Sequence, residues 1–402
     1  MWVVGIGADG WDGLSEAARA TLCAAELVIG SNRQLDMVRA HLSTRYRTLP
    51  SPLLPALSEL LTRHRARRLC VLASGDPLWF GIGATLVRLL GHEAVRIVPA
   101  VSSISLACAR LGWAVEETTV ISAVGRPLSK LGREIQRGRR LLVLVAEPTA
   151  STSVAQLLRA RGFGPSPMVL LERLGSATER AVAATAADFP EDVHDRLAIV
   201  AVDCRSEPAT RPLSIVPGLP DNAYDNDGQL TKREVRAVTL AALAPLPGEL
   251  LWDVGAGTGT VAIEWLRTHP RCRAVAIEPR AERRARIVAN AQTLGVPDLV
   301  VVSGSAPEAL TGLPRPDAVF VGGAVSVEGV IEGCLDALRP GGRLVANAVT
   351  LAAETTLTSW HSRLGGELIR IALSRTAPLG GFTAWRPALP VTQWTYHKEN
   401  RT

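Results

Sequence analysis

Short apolar runs, four to six residues long, alternate with longer stretches in which apolar positions recur every three or four residues. In the first half this pattern predicts strands at Trp2–Ile6, Leu27–Gly30, Leu69–Ala73 and Val95–Pro99, around Val120, and at Leu141–Ala146. Helices are expected at Ser15–Ala25, between the second and third of these strands, after Gly81, and at Ser103–Leu111. The second half opens with a helix near Lys232–Leu243 and continues with strands near 250, 274, 299, 317 and 343, with helices between them. Strands alternating with helices predict an α/β protein. Five such units in succession predict a doubly wound parallel sheet with its ligand at the carboxyl ends of the strands. Between Asp203 and Pro220 neither period is present, and Pro208, Pro212, Pro217 and Pro220 crowd the stretch. It reads as an extended linker over 204–220, dividing the chain into 1–203 and 221–402.

Candidate chemistry is densest just after the strand at 250. Asp253-Val254-Gly255-Ala256-Gly257-Thr258-Gly259 lies between the apolar run Leu250-Leu251-Trp252 and the apolar stretch Val261–Leu266. A strand, a tight glycine turn and a helix are expected there. Glycine lets the backbone turn sharply and approach a ligand closely, and the free N–H groups of the helix start face that ligand. The spacing is G-x-G-x-G, not the G-x-G-x-x-G of dinucleotide folds, and points to S-adenosyl-L-methionine rather than NAD. Glu278 closes the next apolar run 25 positions after Asp253 (278 − 253), at the expected tip of the neighbouring strand, where an acid can accept hydrogen bonds from ribose hydroxyls. The alternative is a packing glycine loop in a non-binding domain.

Other pieces fit the loop. Asp317–Gly323 reads as a buried strand ending in two glycines, and Ala306 follows the strand at 299, placed to touch an adenine. Before the loop, Thr231 is expected as a helix N-cap with Glu234 three residues on, a capping box. Methyl transfer from a sulfonium needs alignment more than acid–base groups. Accordingly no G-x-S-x-G elbow, H-E-x-x-H or Walker A motif is found.

Composition narrows the picture. With 402 residues, 47% hydrophobic and 20% charged, the chain has core enough for two domains. No apolar run is long enough for a membrane span, and no signal peptide is expected. Six scattered cysteines without a C-x-x-C pair predict neither a zinc site nor a disulfide framework, consistent with a cytoplasmic protein. The net charge is +6, with lysine only at 130, 232 and 398, so the basic groups are arginines, whose forks bind carboxylates in pairs. Basic clusters at Arg63–Arg68 and Arg280–Arg286 read first as solvated helix faces and next as contacts to a polyanionic small substrate. Aromatics make up 4% and do not interleave with the arginines, so nucleic acid is not expected as a partner.

Taken together, these motifs resemble the precorrin-6Y C5,15-methyltransferase (decarboxylating) family of cobalamin biosynthesis over nearly the full length. The second half is similar to its Rossmann-like class I domain at Asp227–Lys232, Asp253–Gly259, Ile263–Trp265, Ala306-Pro307, Phe320–Gly323, Gly342–Thr350 and Pro390–Trp394. The first half resembles the two-lobed class III tetrapyrrole methylases at Val4–Gly10, Ser74–Pro77 with Phe80-Gly81, Pro99–Ser103, Ala109–Gly112 and Glu172–Gly175. Ala8-Asp9 stands where many class III members carry a proline. The resemblance implies methylation of precorrin-6B at C5 by the first domain. It implies methylation at C15 and decarboxylation of the ring C acetate by the second, giving precorrin-8X. It further implies one S-adenosyl-L-methionine per domain, no metal, and a homo-oligomer through the C-terminal domain. The expected cofactor contacts are Gly5, Gly7, Gly75, Asp76, Ser102 and Ser103 in the first domain. In the second they are Thr231, Asp253, Gly255, Ala256, Gly257, Thr258, Gly259, Glu278 and Ala306. Asn347 and Gln229 are the polar candidates for catalysis. An RNA or protein methyltransferase and an NAD-linked Rossmann protein are the competing readings.

Overall fold

A computed structural model describes residues 1–50, 56–63, 68–191, 195 and 198–399. The chain divides into two units, one formed by Met1–Arg126 and Arg137–Thr210, the other by Pro127–Gln136 and Arg211–Thr402. The seam falls at Thr210–Arg211, inside the expected linker. Pro127–Gln136 also groups with the second unit, where Lys130 pairs with Asp298 and Ser129 Oγ donates to Gln292 Oε1 at 2.8 Å. Of the basic cluster at Arg63–Arg68, residues 64–67 lie outside the described residues.

The first unit has two sheets. β1 (Trp2–Ile6), β2 (Leu27–Gly30), β3 (Arg45–Thr48), β4 (Leu69–Ser74) and β5 (Arg96–Val98) form a parallel sheet in the order β3-β2-β4-β1-β5. Both of its faces are covered. Val4, Val28 and Leu72 enter one apolar cluster, and Val3, Ile29 and Val71 enter another. Burial on both faces is why these strands read as unbroken apolar runs. β3, with mostly exposed Arg and Thr, gives no such signal. The second sheet contains β6 (Thr118–Ser122), β7 (Arg140–Val145), β8 (Pro167–Glu172), β9 (Arg180–Thr185) and β10 (Ala198–Asp203). Its order is β6-β7-β10-β8-β9, antiparallel except for β6 with β7.

The second unit is built on β11 (Leu250–Val254), β12 (Arg273–Glu278), β13 (Val300–Ser303), β14 (Ala318–Val321), β15 (Arg343–Ala348), β16 (Glu367–Ile371) and, after a hairpin of β17 (Ser374–Leu379) and β18 (Phe382–Pro387), β19 (Val391–His397). The sheet order is β13-β12-β11-β14-β15-β19-β16, parallel from β13 through β15, with β19 antiparallel between β15 and β16. The order reverses beside β11, so the carboxyl ends of β11 and β14 flank a crevice. Trp252 and Val254 pack on one face and Leu251 on the other, and both clusters are buried.

The expected extended linker is in part a fixed arm. Leu219 and Tyr224 are buried in the second unit's core. Glu264, itself buried, accepts hydrogen bonds from Gly218 N (2.5 Å), Leu219 N (3.0 Å), Tyr224 Oη (2.8 Å) and Arg236 Nε (2.5 Å). Arg236 is fully buried and also donates to the carbonyls of Leu219 and Thr231. A paired, fully hydrogen-bonded charge is the tolerable form of a buried charge, and this pair anchors the arm.

Candidate functional site

In the first unit, β1 and β4 end side by side. Gly75 N donates to Ile6 O at 2.9 Å. A Cβ on Gly5 would lie 2.1 Å from Gly75 O and 2.6 Å from Ala100 N, so only glycine lets these three loops meet. Beside this junction opens a cavity of about 670 Å³ lined by Gly7, Gly75 and Ser103, by apolar groups such as Leu72 and Leu106, and by Arg33 and Arg173. Three of the six expected residues thus line the space. The other three shape it. Gly5 lies beneath it, Asp76 Oδ1 accepts Leu78 N (2.8 Å) in the turn, and Ser102 Oγ caps the helix Ser103–Leu111 through Ser105 N (3.1 Å).

Sequence reasoning missed Arg33, Gln34, Trp79, Phe80 and Arg173 in this lining. Ser74 Oγ accepts from Arg33 Nη2 (3.0 Å) and Gln34 Nε2 (3.1 Å), and burial lowers the Arg33 pKa. The signal was present, since Ser31 and Gln34 form a capping box legible as S-x-x-Q. Arg173 belongs to a quoted motif and pairs with Asp195 at 3.2 Å. Phe80 has φ of +52° and carries Arg126 over its ring at 5.3 Å.

In the second unit the glycine loop is strapped to β12. Gly255 N and Ala256 N both donate to Ile277 O (3.0 and 3.1 Å), and Gly257 N donates to Glu278 Oε2 (2.9 Å). Gly255, Gly257 and Gly259 have φ of +70°, +59° and +76°, and Gly259 caps the helix Thr260–Thr268. A Cβ on Gly255 would lie 2.8 Å from Gly323 Cα, so the ends of β11 and β14 touch through bare backbone. Glu278 is buried and uses its other oxygen for Arg280 N (3.1 Å). Asp253 Oδ2 accepts Ala262 N (3.0 Å), which ties β11 to the helix. Burial pushes its pKa up to about 7, opposed by the Ala262 N–H and reinforced by the Glu278 charge. Asp253 Oδ1 and Thr258 Oγ1 are buried without a hydrogen-bond partner. These features suit the adenosyl and methionine parts of S-adenosylmethionine: a cradle that a Cβ would close, a carboxylate at the adjacent strand tip, and polar atoms left to be satisfied.

The remaining expected residues divide. Gln229 lies over the loop, its carbonyl 3.6 Å from a Cβ built on Gly257, and its Oε1 accepts Arg283 Nη2 (2.6 Å). Ala306 is buried in the apolar cluster with Val254 and Val321. The Thr231 capping box does not form. Lys232 is the N-cap, without a side-chain bond, because Thr231 is held through its carbonyl by Arg236; Glu234 pairs with Arg375 instead. Asn347 lies at the carboxyl end of β15 and bonds Thr239 and Gln393. Asn290, also missed, grips both sides of the loop entrance. It donates to Thr258 O (3.2 Å) and Asp225 O (3.0 Å) and accepts Asp225 N (2.9 Å). Among the described residues no cluster of His, Cys, Asp and Glu could hold a metal, and no helix is long and apolar enough to cross a membrane.

Residues 1–190 match the profile of the Tetrapyrrole (Corrin/Porphyrin) Methylases, and residues 222–398 match the Precorrin methyltransferase domain. Fold and site thus define a C-methyltransferase of the tetrapyrrole class. A precorrin-6Y C(5,15)-methyltransferase [decarboxylating] of Sinorhizobium sp is 46% identical over 398 residues, 99% of this chain and 96% of that protein. Two shorter relatives each match less than half of the chain. A cobalt-precorrin-7 C(5)-methyltransferase of Salmonella typhimurium is 33% identical over 45% of this chain and 88% of its own length. A probable cobalt-precorrin-6B C(15)-methyltransferase (decarboxylating) of Pyrobaculum calidifontis is 35% identical over 44% and 93%. The chain belongs to the precorrin-6Y C5,15-methyltransferase (decarboxylating) family, whose members are S-adenosylmethionine-dependent methyltransferases.

Proposed function

We propose that this chain methylates precorrin-6B at C5 and C15 and removes the ring C acetate as carbon dioxide, giving precorrin-8X. In this reading one S-adenosyl-L-methionine binds in each unit. The functional division runs 1–203 and 221–402 about the segment 204–220. The observation that carries it is the pair of separate strand-end junctions closed by glycine, Gly5 against Gly75 and Gly255 against Gly323. Two full cofactor cradles in one polypeptide suit two methyl transfers.

S-adenosylmethionine supplies, when bound, an electrophilic methyl group on a sulfonium sulfur. The protein's part is alignment. Glu278 accepts the ribose hydroxyls while it holds Gly257, and the side-chain-free ends of β11 and β14 leave room for the macrocycle beside the donor. A meso carbon of the reduced macrocycle is the nucleophile. The same conjugation takes up the electron pair released when carbon dioxide leaves, and a proton from water then completes the methyl group left on ring C. In the first unit Arg33 and Arg173 face the cavity, where guanidinium forks suit the substrate's carboxylates.

We place a homo-oligomeric contact on the β17–β18 hairpin, which exposes Leu379, Phe382 and Trp385 at 66%, 82% and 72%. Six free cysteines suit a reducing cytoplasm. The test is turnover of precorrin-6B with methyl-labelled S-adenosylmethionine, counting methyl groups and carbon dioxide by mass. Two methyl groups and one carbon dioxide per substrate are expected, and a single methyl or retained carboxylate refutes the reading.

A further inference from the structure

Two sequence motifs far apart in the chain meet in one polar cluster. β15 and β19 pair with Asn347 opposite Gln393, and both side chains reach Thr239 on the helix Arg233–Leu243. Gln393 Nε2 donates to Thr239 Oγ1 (3.0 Å) and to Asn347 Oδ1 (2.9 Å), and Asn347 Nδ2 donates to Thr239 Oγ1 (2.9 Å). A primary amide has two N–H groups. Gln393 uses both. Asn347 uses one, and its oxygen is taken, so turning its amide over would set NH2 against NH2. One Asn347 N–H is left, with its orientation fixed.

Burial separates the three residues. Thr239 is fully enclosed and Gln393 is 1% exposed, whereas Asn347 reaches the surface. Strand register puts that surface at the crevice. Val254 pairs with Val321 and Val321 with Ala346, so the next residues, Gly255, Gly322 and Asn347, stand level at the carboxyl ends of three adjacent strands. Two strand spacings, about 10 Å, separate the glycine loop from Asn347, with only glycine between. Gln393 Oε1 is buried without a partner. A methionine would fill nearly the same volume without stranding an acceptor, so what this position uses is its donors.

We propose that Asn347 gives its remaining N–H to a side-chain carboxylate of the tetrapyrrole bound in the second unit, and that Gln393 and Thr239 are positioning residues that hold the amide for it. This rests on the C15 reaction assigned above.

The test uses the full chain with methyl-labelled S-adenosylmethionine, following methylation at C5 and C15 separately by product NMR. Asn347→Ala lowers kcat at C15 by about 10- to 100-fold, the effect of a charge-assisted hydrogen bond. Gln393→Met, which lacks both donors, lowers it nearly as far, and Gln393→Glu, which keeps at most one donor when protonated, lowers it by less or as much. The Asn347→Ala/Gln393→Met double variant is no slower than Asn347→Ala alone, because Gln393 acts through Asn347. Thr239→Val follows Gln393→Met, and Thr239→Ser restores the rate. The C5 rate, measured on substrate already methylated at C15, and the KM for S-adenosylmethionine stay within about twofold, which general loosening of the fold would not allow. The proposal is overturned if both Gln393 variants methylate C15 at the wild-type rate, if the losses multiply in the double variant, or if C5 falls in parallel. A wild-type chain that leaves C15 unmethylated overturns the functional reading and this proposal together; a wild-type chain that methylates C15 beside fully active Gln393 variants overturns the positioning alone.

Discussion

In the first unit the strand ends meet through Gly5 and Gly75 next to a cavity walled mainly by apolar groups, with charge confined to a few side chains such as Arg33, Arg173 and Asp195. In the second unit Gly255 and Gly323 make the equivalent approach, but buried charge surrounds it: Asp253, Glu278, Glu264 and Arg236 are each 3% exposed or less. The first unit shapes its site by volume. The second locks a loop and an incoming arm with hydrogen-bonded charge, so removing charge harms it more.

The largest expected effect tests that contrast directly. Glu264→Ala removes the nearer of the two carboxylates paired with buried Arg236, leaving Asp221 at 3.3 Å, strands three other donors, and destabilises the second unit by about 3–5 kcal/mol. Arg173→Ala, which breaks the exposed Arg173–Asp195 pair of the first unit, costs about 1 kcal/mol or less. Calorimetric melting of both variants checks this, and comparable losses would erase the distinction. Next, Glu278→Gln weakens S-adenosylhomocysteine binding at one of two calorimetric sites by about 10- to 100-fold, since a charge-assisted acceptor is lost there. An unchanged second site contradicts the assignment.

A further effect concerns pH. Asp253 has a pKa of about 7 in the folded unit against an ordinary 3.8, so between those values the folded state holds a proton that the unfolded chain releases. The stability this group contributes is complete below about pH 4 and is lost as pH rises through 7. The second unit's melting temperature therefore falls from pH 5 to pH 8 in the wild type, and the fall is reduced in Asp253→Asn. An identical fall in both would remove Asp253 as its source.

Much of the second site was legible because it is local. A G-x-G-x-G loop and an acid 25 positions on define neighbouring strand tips, and Gly257 N does meet Glu278. The strands β1, β2, β4 and β11 to β15 and the helix starts near Ser15, Gly81 and Ser103 were legible for the same reason. What escaped depends on partners distant in sequence. Arg236 and Glu264 are 28 residues apart and look like ordinary surface charges in the hydropathy pattern. Their pairing turns part of the expected linker into a fixed arm and replaces the Thr231 capping box. Asn347 and Gln393, 46 residues apart, meet only because β19 inserts antiparallel between β15 and β16. β3 escaped for a different reason, being an edge strand of exposed polar residues with no apolar run.

In the proposed reading two separate cradles each transfer one methyl group. Gly5→Ala and Gly255→Ala in the full chain test it, because each added Cβ meets backbone at 2.1 or 2.8 Å and displaces one strand-end junction, a misplacement worth about 100-fold in rate. The decisive measurement is the mass of the product each variant makes from precorrin-6B. The account predicts that Gly255→Ala adds no methyl at C15 and retains all carboxylates, and that Gly5→Ala yields a product with one added methyl and carbon dioxide lost. The same product from both variants, or loss of both methylations in each, would contradict it.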